Sequence, residues 1–368
     1  MNITEVLIQP QAITWLPWAV QYFLYIGSSY AAAILFLLSL MFQQHTSHRM
    51  RSALVLVLAI GAIVGPLALT GDLHQPGRAW KFFFHLTPWS WMSLGSLFLP
   101  LFSALSILTA WLYLRDDIAA LKNSTNPIAK VVSLLTLGDW KITLTQMKIV
   151  AVITTLSGLS IALYTGAEIA IVQSRPLWNQ ATSPLLWFVT AFLGAIGFTA
   201  LLLALFPSDK NSAMTSSMTL GDISLIKRVL ILSSVLALIL VPLWASNNPY
   251  FSLYENQDWA IRLGLLSISF VVCFIVAQTL TRLNRLNFIL ISATTLFTSF
   301  YLRWVTIMDV QTIPKFDVGA YPYELPLGGS GLLGIIGMFG LWIALALAAT
   351  EIVDAKNTPF ATAAHTTK

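Results

Sequence analysis

Two short stretches of this chain combine proton-handling residue types with a spacing that would hold them together. The first reads Tyr164-Thr165-Gly166-Ala167-Glu168. Tyr164 and Glu168 are about one helical turn apart, so on a helix they share a face. A phenol that donates a hydrogen bond and a carboxyl that exchanges a proton would then line one polar pocket. Gly166 between them leaves room for close approach by a ligand or a second helix. The plainer alternative is a carboxylate paired with Arg303 or Arg175 in a purely structural role. The second stretch reads Gly71-Asp72-Leu73-His74-Gln75-Pro76-Gly77-Arg78. An acid and an imidazole two residues apart, ahead of a Pro-Gly turn, make a compact polar cap. Imidazole titrates near neutral pH, so proton transfer is within its chemistry. Helix termination with loop hydrogen bonding accounts for the same residues without it.

The rest of the chain dictates what positions these groups. Of 368 residues, 57% are hydrophobic and 10% charged, and the mean hydropathy is +0.77. A soluble domain carries about 25% charged residues. The composition excludes an ordinary soluble enzyme, a disordered chain and a disulfide scaffold. It predicts an all-α, polytopic integral membrane bundle. The formal charge of +5 and pI near 9.3 read as topology signals, because the basic residues fall in short loops between apolar runs. The lone Cys273 forms neither an internal disulfide nor a metal cluster. The first apolar run is too long, and lacks a basic stretch before it, for a cleaved signal peptide.

Nine segments approach the roughly 20 residues that a helix needs to cross the hydrocarbon. They are Pro17–Phe42, Ala53–Gly71, Trp89–Leu114, Ile149–Val172, Pro184–Phe206, Val229–Ser246, Leu263–Leu280, Asn287–Trp304 and Gly331–Ile352. The eighth is among the shortest. The expected organisation is a single membrane domain over 1–368. It comprises two packed bundles, spans 1–4 within 15–175 and spans 5–8 within 184–305, plus a ninth helix over 331–352. Alternating loops divide the 20 Lys and Arg residues unequally, about 14 to 6. By the positive-inside rule the richer set is cytoplasmic, which puts the N-terminus outside and the C-terminus inside.

An ionisable group within a bilayer needs a reason. In these spans the notable ones are Asp72, Glu168 and Arg303, all near the outer ends. The outer connections are rich in aromatics and prolines. Trp15, Trp80, Trp178, Trp259 and Tyr321 fit an interfacial belt, or else a docking surface. Gly329-Ser330-Gly331-Leu332-Leu333-Gly334 spells a dinucleotide fingerprint but follows no strand and opens a membrane helix, so it is rejected. Gly331, Gly334, Gly337 and Gly340 suit tight helix packing. Asn2-Ile3-Thr4 and Asn123-Ser124-Thr125 spell glycosylation sites and carry little weight. The histidines are His45, His48, His74, His85 and His365. None lies in mid-span, so no haem is expected in the membrane, and no metal-ligand cluster stands out. A redox role would need a diffusible lipid carrier, with metal centres on other chains.

Several of these stretches resemble the polysulfide reductase membrane subunits of the NrfD-like family. Asp72-Leu73-His74-Gln75-Pro76 and Trp89-Ser90-Trp91-Met92-Ser93-Leu94-Gly95-Ser96 resemble one signature. Tyr164-Thr165-Gly166 with Ser174-Arg175-Pro176-Leu177-Trp178-Asn179 resembles another. Gly27-Ser28-Ser29-Tyr30 departs from the more glycine-rich first span of the family. Within the family, nine spans look most like the tetrathionate reductase membrane subunits.

The resemblance implies a multi-pass anchor in the bacterial inner membrane. Its partners would be a periplasmic ferredoxin-like iron–sulfur subunit and a molybdenum catalytic subunit. The cofactor would be a quinol, menaquinol or ubiquinol, bound near the outer face with no haem and no metal in this chain. Tyr164 would hydrogen-bond one quinol oxygen, and Asp72, His74 and Glu168 would take up protons. Gln21 or Tyr22 would meet the other oxygen, Ser93 would join the cofactor site, and Arg175 and Trp178 would lie near the partner seam. Two other classes stay open: a secondary transporter, disfavoured because mid-span positions are nearly free of ionisable groups, and a purely structural anchor.

Overall fold

The computed structural model describes residues 13–42, 44–206, 218–246, 253–282, 284–313 and 323–353. Tyr321, His365, the Asn2-Ile3-Thr4 triplet and parts of two expected outer connections lie outside them. Among the described residues, nine helices are long and apolar enough to cross a membrane. They are α1 (Pro17–Met41), α2 (His48–Asp72), α3 (Trp91–Tyr113), α4 (Leu144–Ala170), α5 (Thr182–Leu205), α6 (Leu220–Ser246), α7 (Gln257–Thr279), α8 (Arg285–Thr312) and α9 (Leu332–Thr350). Because successive spans reverse direction, one end of the bundle gathers Leu16, Asp72, Trp91, Ala170 and Thr312. It is called the Asp72 end, and the opposite one the Arg49 end.

Helix α1 is the hub. It packs against α2, α4, α5, α8 and α9 and is buried along nearly its whole length. Its sequence is apolar all round, which suits a helix with no face to lipid or water. Small residues let its neighbours approach. A Cβ on Gly61 of α2 would stand 2.8 Å from the Tyr25 carbonyl of α1, and Gly194 of α5 lies against Ser28. Close backbone approach through small residues is the usual way helices associate in lipid. The other spans surround this centre: α3 on α2 and α4, α6 on α5 and α7, and α8 on α5 and α7. Their outward faces carry exposed leucines, isoleucines and valines, as lipid-facing surface requires.

Several helices reach further than the apolar runs suggest, and in each case polar residues at the helix start find partners on the chain itself. Helix α2 begins at His48 because Ser47 accepts from Met50 N–H at 3.1 Å, while Arg49 donates to the Leu203 carbonyl at 3.0 Å and lies over the Phe206 ring. Helix α6 starts with Asp222 buried, accepting from Ser47 N–H at 3.0 Å and Thr219 N–H at 2.8 Å. Helix α4 opens on a Thr143/Gln146 capping box.

The eighth span, among the shortest by its apolar run, is the longest here, at 28 residues. It continues past Trp304 through a π-helical turn over Val305–Asp309. Asp309, expected in a connection, stays helical because Arg262 of α7 pairs with it. The π turn loosens the backbone ladder, and Trp178 Nε1 donates to the Thr306 carbonyl at 2.5 Å.

Arg303 fastens the centre. It is 1% exposed and donates to the Phe23 carbonyl of α1 at 3.3 Å, to Thr190 Oγ1 of α5 at 3.0 Å, to Ser299 and to the Trp187 carbonyl at 3.2 Å. Arg303→Met should therefore lower unfolding free energy by about 2–4 kcal/mol, since several buried acceptors lose their donor together. Arg303→Lys should lose less. Thermal unfolding of the purified protein in detergent reads both, and an unchanged midpoint for Met would refute this three-helix tie.

Candidate functional site

A cavity of about 390 Å³ opens between α2 and α3 near the Asp72 end. Helical periodicity builds two of its walls. Ala62, Pro66, Leu69, Thr70 and Leu73 recur at three- and four-residue steps along α2, as do Met92, Gly95, Ser96, Leu99, Pro100 and Ser103 along α3. The mouth is partly roofed by Ala79, Phe82 and Phe83, the last two from a one-turn helix over Lys81–Phe84. The back wall is Tyr164 and Glu168 of α4. They are the only titratable groups among the described lining residues, and they are close enough to interact with one another.

Gly95 sets the depth of the cavity. A Cβ there would overlap the Tyr164 ring, so the absence of a side chain on α3 is what lets the phenol reach forward. Tyr164 is 3% exposed. Behind it, Tyr22 of α1 is fully buried and within electrostatic reach of both Tyr164 and Glu168. The Tyr22 hydroxyl and the Gln21 Oε1 make no direct hydrogen bond in the described protein. Gln21 Nε2 stands 3.5 Å from the Pro17 carbonyl. Buried polar atoms with unspent bonding capacity are uncommon and mark places that ask for an explanation.

Asp72 sits beside the cavity rather than in its lining. Its carboxylate accepts from Leu16 N–H at 2.9 Å and lies near enough to Glu168 for the two charges to interact. The reason is local. Leu16 is the N-cap of α1 and has no side-chain oxygen to cap with, so an acid from α2 serves the helix start, where negative charge is favoured. His74 is exposed on the following loop and interacts with Asp72. The sequence thus points to Tyr164, Glu168, Asp72, Gln21, Tyr22 and His74, and the fold gathers them at one end of α1, α2 and α4.

Three other candidates are structural in their contacts. Ser93 is buried and accepts from Thr87 N–H at 2.8 Å, shaping the entry to α3 while its neighbours Met92 and Gly95 line the cavity. Arg175 donates to the carbonyls of Val310 and Ile313 at 2.9 and 2.7 Å, covering the C-terminal end of α8, where a cation is favoured. Trp178 stacks on Trp15 with ring centroids 5.1 Å apart. Trp178, in a connection, and Trp259, in the first turn of α7, are 5% and 4% exposed, so they pack into the protein and do not belong to a lipid-facing belt; the half-exposed Trp80 still fits one. Glu168 is not ion-paired with Arg303 or Arg175, whose described bonds go to carbonyls and hydroxyls.

Two features carry no signal in the sequence pattern. The Phe82–Phe83 roof sits in a loop with no helical periodicity of useful length. The polar cluster at the Arg49 end is also hidden, because its members fall in segments that read as plain charged loops. There His48 meets Asp117 at 3.1 Å and the Tyr113 hydroxyl at 2.9 Å, and Arg51 donates to that same hydroxyl at 3.0 Å. Among the described residues no group of three or more His, Cys, Asp or Glu could hold a metal ion.

The model of the family described as polysulphide reductase, NrfD, matches residues 5–315. The chain is 32% identical over 359 residues to a tetrathionate reductase subunit from Salmonella typhimurium, covering 96% of each protein. It is 20% identical over 326 residues to a selenate reductase subunit from Mesobacillus selenatarsenatis, covering 83% of this chain and 75% of that one.

The geometry separates a capping role for Asp72 from any chemical one. Asp72→Ala should cost about 1–2 kcal/mol by removing the acceptor at the start of α1. Asp72→Asn, which keeps an oxygen in place, should cost less than half of that. Chemical or thermal denaturation in detergent decides it; equal losses would mean that the Leu16 bond contributes nothing.

Proposed function

Because the chain belongs to the NrfD polysulphide reductase family, we propose that it is the quinol-oxidising anchor of a membrane-bound reductase. A single observation carries this reading: a lateral, mostly apolar cavity whose back wall offers one phenol and one carboxyl. Its volume, about 390 Å³, lies within the usual range of roughly 300–1,000 Å³ for small-molecule sites, where apolar walls hold the ligand and a few polar groups orient it. A quinol fits that description, with an aromatic ring for the walls and two oxygens for the polar groups. A membrane-resident substrate would enter sideways, past Thr70, Met92 and Pro100.

In this reading the Tyr164 hydroxyl hydrogen-bonds one ring oxygen, and Glu168 accepts a proton as the quinol gives up two electrons and two protons to become a quinone. Asp72, beside Glu168, and the exposed His74 give the protons a way to water at the same end. Tyr22 and Gln21, with hydrogen-bonding capacity to spare, orient Tyr164 from behind or meet the second oxygen. The electrons leave for an iron–sulfur subunit docked at the Asp72 end, whose loops are held rigid by Trp178, Arg175 and Gln311. With the bundle placed by its basic residues, that end faces the periplasm and the membrane is the bacterial inner membrane. A molybdenum subunit further out would reduce the terminal acceptor. The extended match to a tetrathionate reductase subunit supports tetrathionate there. Menaquinol and ubiquinol suit the cavity equally.

Three variants test the site in the assembled complex. Tyr164→Phe should weaken quinol binding by about 0.5–1.5 kcal/mol, roughly 2- to 10-fold. Glu168→Gln should leave assembly intact and slow turnover. Gly95→Ala should impair activity by pressing on the Tyr164 ring without touching a polar group. The readout is quinol-dependent reduction of the iron–sulfur partner in membranes. Normal rates in all three would mean the quinol is oxidised elsewhere or not by this subunit.

A further inference from the structure

The connection between α3 and α4 at the Arg49 end carries features that the proposed quinol oxidation does not use. Residues Pro127–Thr136 form a ten-residue apolar helical stretch, too short to span and of the length typical of interfacial segments. Its outward face is aliphatic: Ile128, Val131 and Leu134 are 71%, 66% and 72% exposed. The stretch is firmly held. Asn126 caps it, accepting from Ile128 N–H at 2.9 Å. Trp111 Nε1 donates to the Leu135 carbonyl at 2.8 Å. Arg115 donates to the carbonyls of Thr136, Gly138 and Trp140, and its guanidinium lies 4.0 Å over the Trp140 ring. A clamped helix with an apolar outer face beside transmembrane spans sits where headgroups meet acyl chains.

Between this stretch and the bundle runs a crevice of about 990 Å³. Its walls are chiefly aliphatic, with Leu56, Ile60 and Ile63 of α2 facing Leu345 and Ala348 of α9 and Val132 of the interfacial stretch. The crevice is continuous with the lipid-facing surface of the spans, since Ile63 is 37% exposed. Its rim is polar, with Asn123, Ser124 and Asn126. Exposed Lys122 and Lys130 flank the lining residues Leu121, Asn123 and Ala129. Two acids also touch the crevice: Glu351 at the end of α9, and Asp117 at its base, where His48 engages it at 3.1 Å.

We propose that this crevice binds one phospholipid with an anionic headgroup. An acyl chain lies along α2 and α9, and the phosphate and headgroup meet Lys122, Lys130 and the rim amides. An aliphatic slot with a cationic, hydrogen-bonding rim at headgroup depth is complementary to such a molecule, and each cation near an anionic lipid surface adds to the attraction.

The test uses the purified complex in mild detergent, delipidated and then given phosphatidylglycerol or phosphatidylcholine, with bound lipid counted by native mass spectrometry. The wild type should hold one phosphatidylglycerol per copy of this chain and prefer it over phosphatidylcholine at least several-fold. Replacing both Lys122 and Lys130 with Gln should erase that preference while leaving quinol oxidation unchanged. Ala348→Phe, at an exposed position on the α9 wall, should fill the slot and lower occupancy of both lipids, as should Ala59→Phe from the α2 wall. No retained lipid in the wild type, equal binding of the two lipids, or undiminished binding in the filled variants would each overturn the proposal. So would a quinone found in the crevice in place of a phospholipid.

Discussion

Hydrocarbon offers no partner to a polar group, so every charge carried into the bundle has to be met by the protein itself. Arg303 shows how far this constraint reaches. Its donors are shared among carbonyls and hydroxyls of α1, α5 and α8, and these contacts hold three helices at one crossing. The same accounting places Arg49 against the Leu203 carbonyl, Asp222 under the start of α2 and Asp309 against Arg262. The helices then pack closely where glycines allow it, and α1 is enclosed. An enclosed α1 is what brings Tyr22 behind Tyr164.

The candidate site is one place where this accounting is left open. Most buried donors have their acceptor, but a few buried polar atoms, the Tyr22 hydroxyl and the Gln21 Oε1 among them, have unspent capacity, and the Tyr164–Glu168 pair faces a cavity. Asp72 works in both regimes. It completes the start of α1 and stands next to Glu168, so the position of the first helix and the electrostatics of the cavity are linked through one carboxylate. Family membership and the apolar lining of the cavity both support the proposal of a membrane-resident ligand.

Much of this was legible in the sequence. Nine spans follow from the apolar runs alone, and Tyr164 with Glu168 follows from their spacing on a helix. Hydropathy, however, distinguishes lipid from water and does not tell protein from lipid. Trp178 and Trp259 therefore looked like belt residues when they are packed inside. The eighth span looked short because Asp309 was counted as a loop acid, its partner Arg262 lying in another helix. The two α-helical walls of the cavity needed the pairing of α2 with α3, and the roof needed the course of an irregular loop; neither is encoded in a local pattern. Long-range contacts that satisfy single polar groups are the part of the fold that periodicity cannot report.

The cavity opens sideways between α2 and α3, and that orientation changes what concentration means for its ligand. A ligand that enters from the lipid would occupy the cavity according to its mole fraction in that phase, not its amount per litre of buffer. Added detergent or bare lipid would thin the ligand over a larger area and lower the rate at constant total amount, and an inhibitor would act in proportion to how strongly it partitions into the membrane.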